Sequence, residues 1–312
     1  MAETTRVDVE KSRVALKEKL QQLMPAPGTY PSNMDGLALH RFDGNSDPSP
    51  GFYQPVIIVV AQGRKRVRIG AEEILYGEHT CFVAGVNMPA ASCVVEATAD
   101  KPYLSLSLEL DKTVIADLVT KVSPTAAYGV SVARGAMVQD IGPELLDAFL
   151  RLLELAEKPE RDPVMSSLLF QEIHYRLLTS PFGNHLRLLN TLGSQSNQIT
   201  RAISWLKDNF KEPLSIEALA GRLNMAPSTF HKHFKELTTL SPLQYQKRLR
   251  LSEAQRLMLT DGHDATQAAF AVGYESATQF NREYKRLFGE SPRKDVVRMK
   301  HVVRGEEIAA SA

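Results

Sequence analysis

Only two cysteines, Cys81 and Cys93, occur in 312 residues, too few for a disulfide framework and in keeping with a reducing cytoplasm. No run approaches the roughly 18 apolar residues that a membrane span requires. The opening stretch MAETTRVDVEKSRVALKEKL is charged throughout and lacks the apolar centre of a signal peptide. A cytoplasmic protein without membrane attachment is therefore expected. There is no Gly-x-Ser-x-Gly, no phosphate-binding glycine loop and no dinucleotide fingerprint, which argues against hydrolase and nucleotide chemistry.

Excess charge is also lacking, since 37 Lys and Arg against 36 Asp and Glu leave a net +1. That balance hides an asymmetry. Residues 196–304 carry 18 basic and 11 acidic side chains, whereas residues 1–195 carry 19 and 23. A basic C-terminal third on a mildly acidic remainder fits a nucleic-acid-binding module joined to something else. The length favours two domains, and a 43% hydrophobic fraction is enough to fill their cores.

Residues 8–24 have the spacing of a short amphipathic helix (Val14, Leu16, Leu20, Leu23), stopped by Pro25, Pro27 and Gly28. From 28 to 110 the chain breaks into short runs rich in β-branched residues, with turn signals about every ten residues, as in a β-sandwich or barrel. In YLSLSLEL, Leu104, Leu106 and Leu108 oppose Tyr103, Ser105 and Ser107; in RKRVRI, Arg64, Arg66 and Arg68 oppose Lys65, Val67 and Ile69. Beyond Asp111 the period turns helical. Pro143 opens a helix to about 157 with a broad stripe of Leu145, Leu146, Phe149, Leu152, Leu153 and Ala156. That stripe serves either burial within the monomer or a homodimer interface. A helix over about 163–179 follows, the polar stretch 191–198 reads as a linker, and the rest is helical.

The C-terminal segment repeats itself. Phe230 and Phe280, Phe234 and Tyr284, Lys235 and Lys285, and Ser241-Pro242 and Ser291-Pro292 each stand fifty residues apart. Both copies, about 215–238 and 264–288, read as helix, tight turn, helix. Ser215 is placed to cap the first helix, Asn224 and Gly273 suit a left-handed turn, and Pro227 suits the first turn of the next helix. Ser276 with Gln279 has the capping-box spacing. In both second helices an aromatic pair at i and i+4 must face inward. That leaves Ser228, His231, Lys232 and Lys235 outward in one, and Thr278, Gln279, Arg282 and Lys285 in the other. These donors reach base edges or phosphates of a major groove, and Thr229 is grouped with them. A helix over about 243–260 separates the units, and recognition helices on one face of a duplex would sit about 34 Å apart. Trp205 is expected to pack this helical core.

AVGYESATQFNREYKRLFGESP and MAPSTFHKHFK followed by SPLQYQKRLRL resemble the signature of the AraC/XylS family of bacterial transcription regulators, over about residues 196–298. The resemblance places base-reading side chains at Ser228, His231, Lys232, Thr278, Gln279 and Arg282. Gly51-Phe52-Tyr53-Gln54-Pro55 and Ala61-Gln62-Gly63-Arg64-Lys65 are similar to one AraC-type subfamily whose front domain is a cupin-like sensor. Tyr284 stands where Phe is commoner, Asp295-Val296 where Tyr-Arg is usual, and Asn224 and Thr239 where glycines are usual.

The implied fold is α+β in two domains. Residues 1–190 would form a cupin-like β-barrel (about 28–110) with appended helices (about 111–190), joined by the linker to an all-α domain with two helix-turn-helix motifs at 199–298. The implied function is sequence-specific, effector-controlled transcriptional regulation, with promoter DNA and RNA polymerase as partners. The first 190 residues contain no His-x-His, so no metal, no cofactor and no enzyme activity are expected. Candidate effector-lining groups are His40, Tyr53, Gln62, His79 and Cys81. Cys81 and Cys93 read as small buried hydrophobes, with a redox or electrophile sensor as the alternative.

Overall fold

A computed structural model describes residues 2–123, 133–158, 160 and 162–303. Helix α1 (Ala2–Leu23) is followed by β1 (Gly28–Pro31), β2 (Leu37–Phe42), β3 (Ser49–Tyr53), β4 (Val56–Gln62), β5 (Arg64–Ile69), β6 (Glu72–Gly77), β7 (Thr80–Ala84), β8 (Met88–Glu96) and β9 (Tyr103–Glu109). Next come α2 (Lys112–Lys121), β10 (Ala136–Asp140), α3 (Pro143–Ala156), α4 (Pro163–Leu178) and α5 (Gly183–Asn190). The remainder is helical: α6 (Gln195–Asp208), α7 (Ile216–Arg222), α8 (Pro227–Thr238), α9 (Pro242–Thr260), α10 (Ala265–Ala271), α11 (Ala277–Phe288) and α12 (Pro292–Val303). The chain divides into two compact units, residues 1–48 with 53–200, and 201–312 with 49–52.

In the first unit a six-stranded sheet runs β1-β2-β9-β4-β7-β10, and a second, four-stranded sheet carries β5 between β6 and β8. Strand alternation gives the larger sheet two unlike faces. On one, Leu37, Leu39, Ile57, Val59, Leu104, Leu106 and Leu108 join Leu16 and Leu20 of α1 and Phe149 and Leu152 of α3 in one apolar core. Burying each such Leu or Phe stabilises the fold by about 1.5–3 kcal/mol. The other face carries His40, Phe82, Tyr103, Ser105 and Ser107.

Three sequence expectations are corrected here. The stretch beyond Asp111 is not helical throughout, because β10 pairs with β7 at the sheet edge. Five residues, of which only Gln139 is buried, leave no period to read. The apolar stripe of α3 is consumed inside the unit, where α1 and α4 cover it, so the homodimer expectation loses the surface on which it stood. Residues 195–198 are not linker but the first turn of α6, started by Ser194, whose hydroxyl accepts from Asn197 N at 3.0 Å. Small polar residues mark helix starts as readily as loops.

In the second unit α8 ends on Thr239 at φ 64° and α11 on Gly289 at φ 84°, matching left-handed caps fifty residues apart. Threonine pays for this conformation with its Cβ, and its buried hydroxyl finds no partner. Thr239→Gly is therefore expected to stabilise the unit by about 1 kcal/mol, after allowing for glycine's greater freedom when unfolded. Trp205, the only tryptophan, reports that transition by fluorescence; an unchanged or lower midpoint would contradict the strain.

Candidate nucleic-acid interface

Both helix-turn-helix units are closed by the same backbone device. After α7, Met225 N reaches Ala220 O at 3.0 Å and Asn224 N reaches Gly221 O at 3.0 Å; after α10, Tyr274 N reaches Ala269 O at 3.0 Å and Gly273 N reaches Phe270 O at 3.1 Å. These paired bonds form a Schellman motif, which requires a left-handed residue, supplied by Asn224 (φ 53°) and Gly273 (φ 87°). The copies differ by one residue here. α7 and α10 start at Ile216 and Ala265, 49 apart, whereas α8 and α11 start 50 apart, at Pro227 and Ala277. The added residue gives α11 a side-chain cap, Ser276 Oγ accepting from Gln279 N at 3.3 Å, where α8 starts on Ala226 without one. The reciprocal half of the expected capping box is not made, because the Gln279 amide instead donates to Glu283 at 3.2 Å.

Phe230, Phe234, Phe280 and Tyr284 are fully buried, with ring centroids 5.5 Å apart in the first pair and 5.4 Å in the second. Their burial fixes what faces solvent. Ser228, His231, Lys232 and Lys235 on α8, and Thr278, Gln279, Arg282 and Lys285 on α11, are all exposed, while Thr229 is half-buried. Asn281 and Arg286 are exposed as well and were not singled out from the sequence. Lys232 lies 4.0 Å from Glu236, an exposed pair too loose to hold the ammonium. Each second helix thus offers hydroxyl, amide or imidazole groups beside cations, the mixture that major-groove edges and phosphates take up.

The frame behind α11 is polar and fully engaged. Glu283 accepts from Lys247 at 2.9 Å, Tyr274 at 2.8 Å and Gln279, tying the helix to α9 and to the turn. Burial alone would raise its carboxyl, but these bonds outweigh it and hold the group below the usual carboxylate range. Asp295, 0% exposed, accepts from Tyr284 at 2.7 Å, Gln255 at 2.6 Å and Arg298 at 2.7 Å. Burial and then this carboxylate push the Tyr284 phenol upward. The two departures from the resembled signature, Tyr284 and Asp295, are thus one interaction. Trp205 lies under Arg222, whose guanidinium carbon is 5.2 Å from its ring.

In the first unit His40 bonds to Ser107 at 2.9 Å and to Thr29 at 3.2 Å, and burial with the nearby Lys65 charge pushes its pKa down to about 4. Tyr53 packs on Phe82, ring centroids 5.1 Å apart. The Gln62 amide donates to Pro102 O at 2.7 Å. The other two candidates do not join these. His79 is exposed in the turn before β7. Cys81 is buried on the opposite, helix-covered face, and burial pushes its thiol up to about 12. Both cysteines are buried, so the sensor alternative has neither an accessible thiol nor, at Cys81, a thiolate. Lys65, Tyr76 and Tyr103 lie near these groups and were not among the candidates read from the sequence, although the alternation of RKRVRI and YLSLSLEL had already put Lys65 and Tyr103 on definite faces. Among the described residues no three His, Cys, Asp or Glu side chains converge as a metal site requires.

Two experiments probe this frame. A Cβ at Gly273 would stand 2.3 Å from Lys211 O, so Gly273→Ala is expected to cost of order 3 kcal/mol, against about 1 for Asn224→Ala. Comparable losses at the two positions would contradict the close approach. A double-mutant cycle of Tyr284→Phe and Asp295→Asn, read by Trp205 fluorescence, is expected to give a coupling of about 1–2 kcal/mol; additive effects would mean the bond is absent.

Residues 33–185 match the family model described as AraC-type transcriptional regulator N-terminus, and residues 219–296 match a helix-turn-helix domain. Over 96 residues the chain is 36% identical to the HTH-type transcriptional activator RhaS of Escherichia fergusonii and 32% identical to RhaS of Salmonella arizonae. Each alignment covers 31% of this chain and 34% of the relative, so the chain spans about a third of the length of these curated relatives. ToxT of Vibrio cholerae O395, bound to (E)-4-(8-methylnaphthalen-1-yl)but-3-enoic acid, matches with TM-score 0.58 at 10% identity, over 84% of this chain and 97% of ToxT. Unsaturated fatty acid bound wild-type ToxT from strain SCE256 matches with TM-score 0.52 at 9% identity, over 86% and 96%. At such identities the likeness concerns the fold alone: a β-rich front unit and an all-helical back unit. With an AraC-type N-terminus in front and a paired helix-turn-helix domain behind, the chain belongs to the AraC family of transcriptional regulators.

Proposed function

We propose that this chain is a cytoplasmic regulator that binds promoter DNA through α8 and α11 and is controlled by a small-molecule effector in its front domain. Residues 199–298 form the DNA-binding domain, and residues 1–190 sense the effector. Ser228, His231, Lys232, Thr278, Gln279 and Arg282 read base edges, while Thr229, Lys235 and Lys285 hold phosphates and position the helices. One polypeptide so covers two successive major-groove segments about 34 Å apart. Regulation at a promoter implies contact with RNA polymerase.

The observation that carries this reading is the duplication of one device. Two left-handed Schellman turns each present a second helix with its aromatic pair buried and its donors exposed. A solvated helix face explains one such surface but does not explain two with matching turns. Effector control is supported by the fold, since ToxT has been solved with small molecules bound. An effector favouring one conformation of the front domain would shift how the paired helices meet DNA.

Lys232→Ala and Arg282→Ala are each expected to weaken binding to a labelled promoter fragment by about 1–3 kcal/mol and to relax base preference where they read the groove. Lys285→Ala is expected to weaken binding uniformly and to lower the slope of log affinity against log salt by about 1. Displacement by random DNA as effective as by the promoter would remove sequence-specific recognition. Unchanged affinity in Lys232→Ala and Arg282→Ala would remove α8 and α11 as the recognition helices.

A further inference from the structure

The polar face of the larger sheet meets the inward face of the smaller one, and the groups gathered there satisfy each other only in part. Lys65 stands opposite Tyr76 across β5 and β6, so both share the face inward of Arg64, Arg66 and Arg68. The Lys65 ammonium lies 5.7 Å from the centroid of the Tyr53 ring and interacts electrostatically with Tyr53 and Tyr103. Tyr53 and Tyr76 both pack on Phe82, with ring centroids at 5.1 and 5.4 Å. Tyr76 is 2% exposed and Tyr103 1%.

The three hydroxyls of Tyr53, Tyr76 and Tyr103 are buried; Tyr53 interacts with Lys65 and with Tyr76, and Tyr103 with Ser105, but no hydroxyl of the three makes a hydrogen bond of proper geometry. Buried phenols are ordinarily bonded, so three orphans in one place call for an occupant. Lys65 forms no ion pair with a carboxylate among the described residues. His40, kept neutral, adds no second positive charge. What remains is one cation and three hydroxyl donors around an aromatic floor.

We propose that the space between the two sheets binds a small organic monoanion by its carboxylate, held by Lys65 Nζ and the hydroxyls of Tyr53, Tyr76 and Tyr103. The proposal rests on the effector reading above and specifies its ligand class. A carboxylate presents acceptors only, with one negative charge to match one ammonium. A neutral polyol would leave the buried ammonium without a counter-charge. A dianion would leave one charge buried and unpaired. The aromatic side chains fit an apolar body behind the headgroup.

Titration calorimetry of the full chain with benzoate, phenylacetate and hexanoate, each beside its neutral amide, tests this. At least one acid is expected to bind about tenfold or more tightly than its amide. Lys65→Met should collapse that ratio to within about twofold, and Lys65→Arg should keep it. Tyr76→Phe and Tyr103→Phe, which remove a donor without removing volume, should each weaken the acid several-fold and leave the amide unchanged; they carry the test if Lys65→Met does not fold. Acid and amide binding equally, acid binding indifferent to these substitutions, or no binding of any acid up to about 10 mM would overturn the proposal. Promoter affinity measured with the same compounds separates the two readings. A neutral compound that binds and changes promoter affinity leaves effector control standing without the anion site. Lys65-dependent acid binding that leaves promoter affinity unchanged keeps the anion site and removes effector control.

Discussion

The helical unit is organised around one guanidinium. Arg250, near the middle of α9, donates to Phe210 O at 2.7 Å, Lys211 O at 2.9 Å, Glu212 O at 3.1 Å and Gly273 O at 2.9 Å. Gln246, one turn earlier, adds bonds to Phe210 O at 3.0 Å and Glu212 O at 2.6 Å. The carbonyls after a helix end are unsatisfied within the helix, and a long cationic side chain is one of the few groups able to collect several of them. By collecting those after α6 together with the turn before α11, the connecting helix fixes α11 to the rest of the unit through backbone atoms. A lysine here would keep the charge but lose the planar fork that spans the four acceptors.

That constraint explains why the duplicated units are not identical. The turn of the second lies against Lys211 O, where a Cβ on residue 273 would meet the carbonyl at 2.3 Å. Only glycine satisfies both the left-handed backbone and that contact. The turn of the first needs the left-handed backbone alone, and asparagine tolerates it. A turn that must accept a neighbour's carbonyl keeps its glycine, and a turn that meets no such neighbour tolerates a side chain.

Much of the helical unit was legible from the sequence because its signals are local. Ser215, Asn224, Pro227 and Gly273 each act within one turn of helix, and the aromatic pairs at i and i+4 set the buried face with no knowledge of the rest. The exposed sets on α8 and α11 follow from that face. The partnership of Tyr284 with Asp295 was not legible as a bond, since each residue reads alone as an unremarkable departure and only the packing of α12 brings them within 2.7 Å. In the front unit the strands were legible and their partners were not. Alternation placed Lys65 opposite Arg64 and Arg66, but it does not say which of two faces is covered by helices and which by another sheet. Cys81 was grouped with His40 for that reason, and the register between β7 and β4 puts them on opposite sides.

The two faces of the larger sheet also separate stability from specificity. The helix-covered face is aliphatic, with Leu37, Leu39, Leu104, Leu106 and Leu108 alternating out of the same strands that carry His40, Ser105 and Tyr103 on the reverse. A core selected only for stability would fill that reverse face in the same way, because an apolar side chain of equal volume avoids the cost of an unmade hydrogen bond, about 1–3 kcal/mol for each buried hydroxyl. Phenylalanine is such a replacement for each of the three tyrosines. Three orphaned hydroxyls beside an ammonium therefore represent a standing cost that the aliphatic face is able to offset. Polar groups set orientation and selectivity in small-molecule sites while apolar surface supplies most of the affinity, and the proposed anion site would draw on the reverse face for the first and on its aromatic rings for the second.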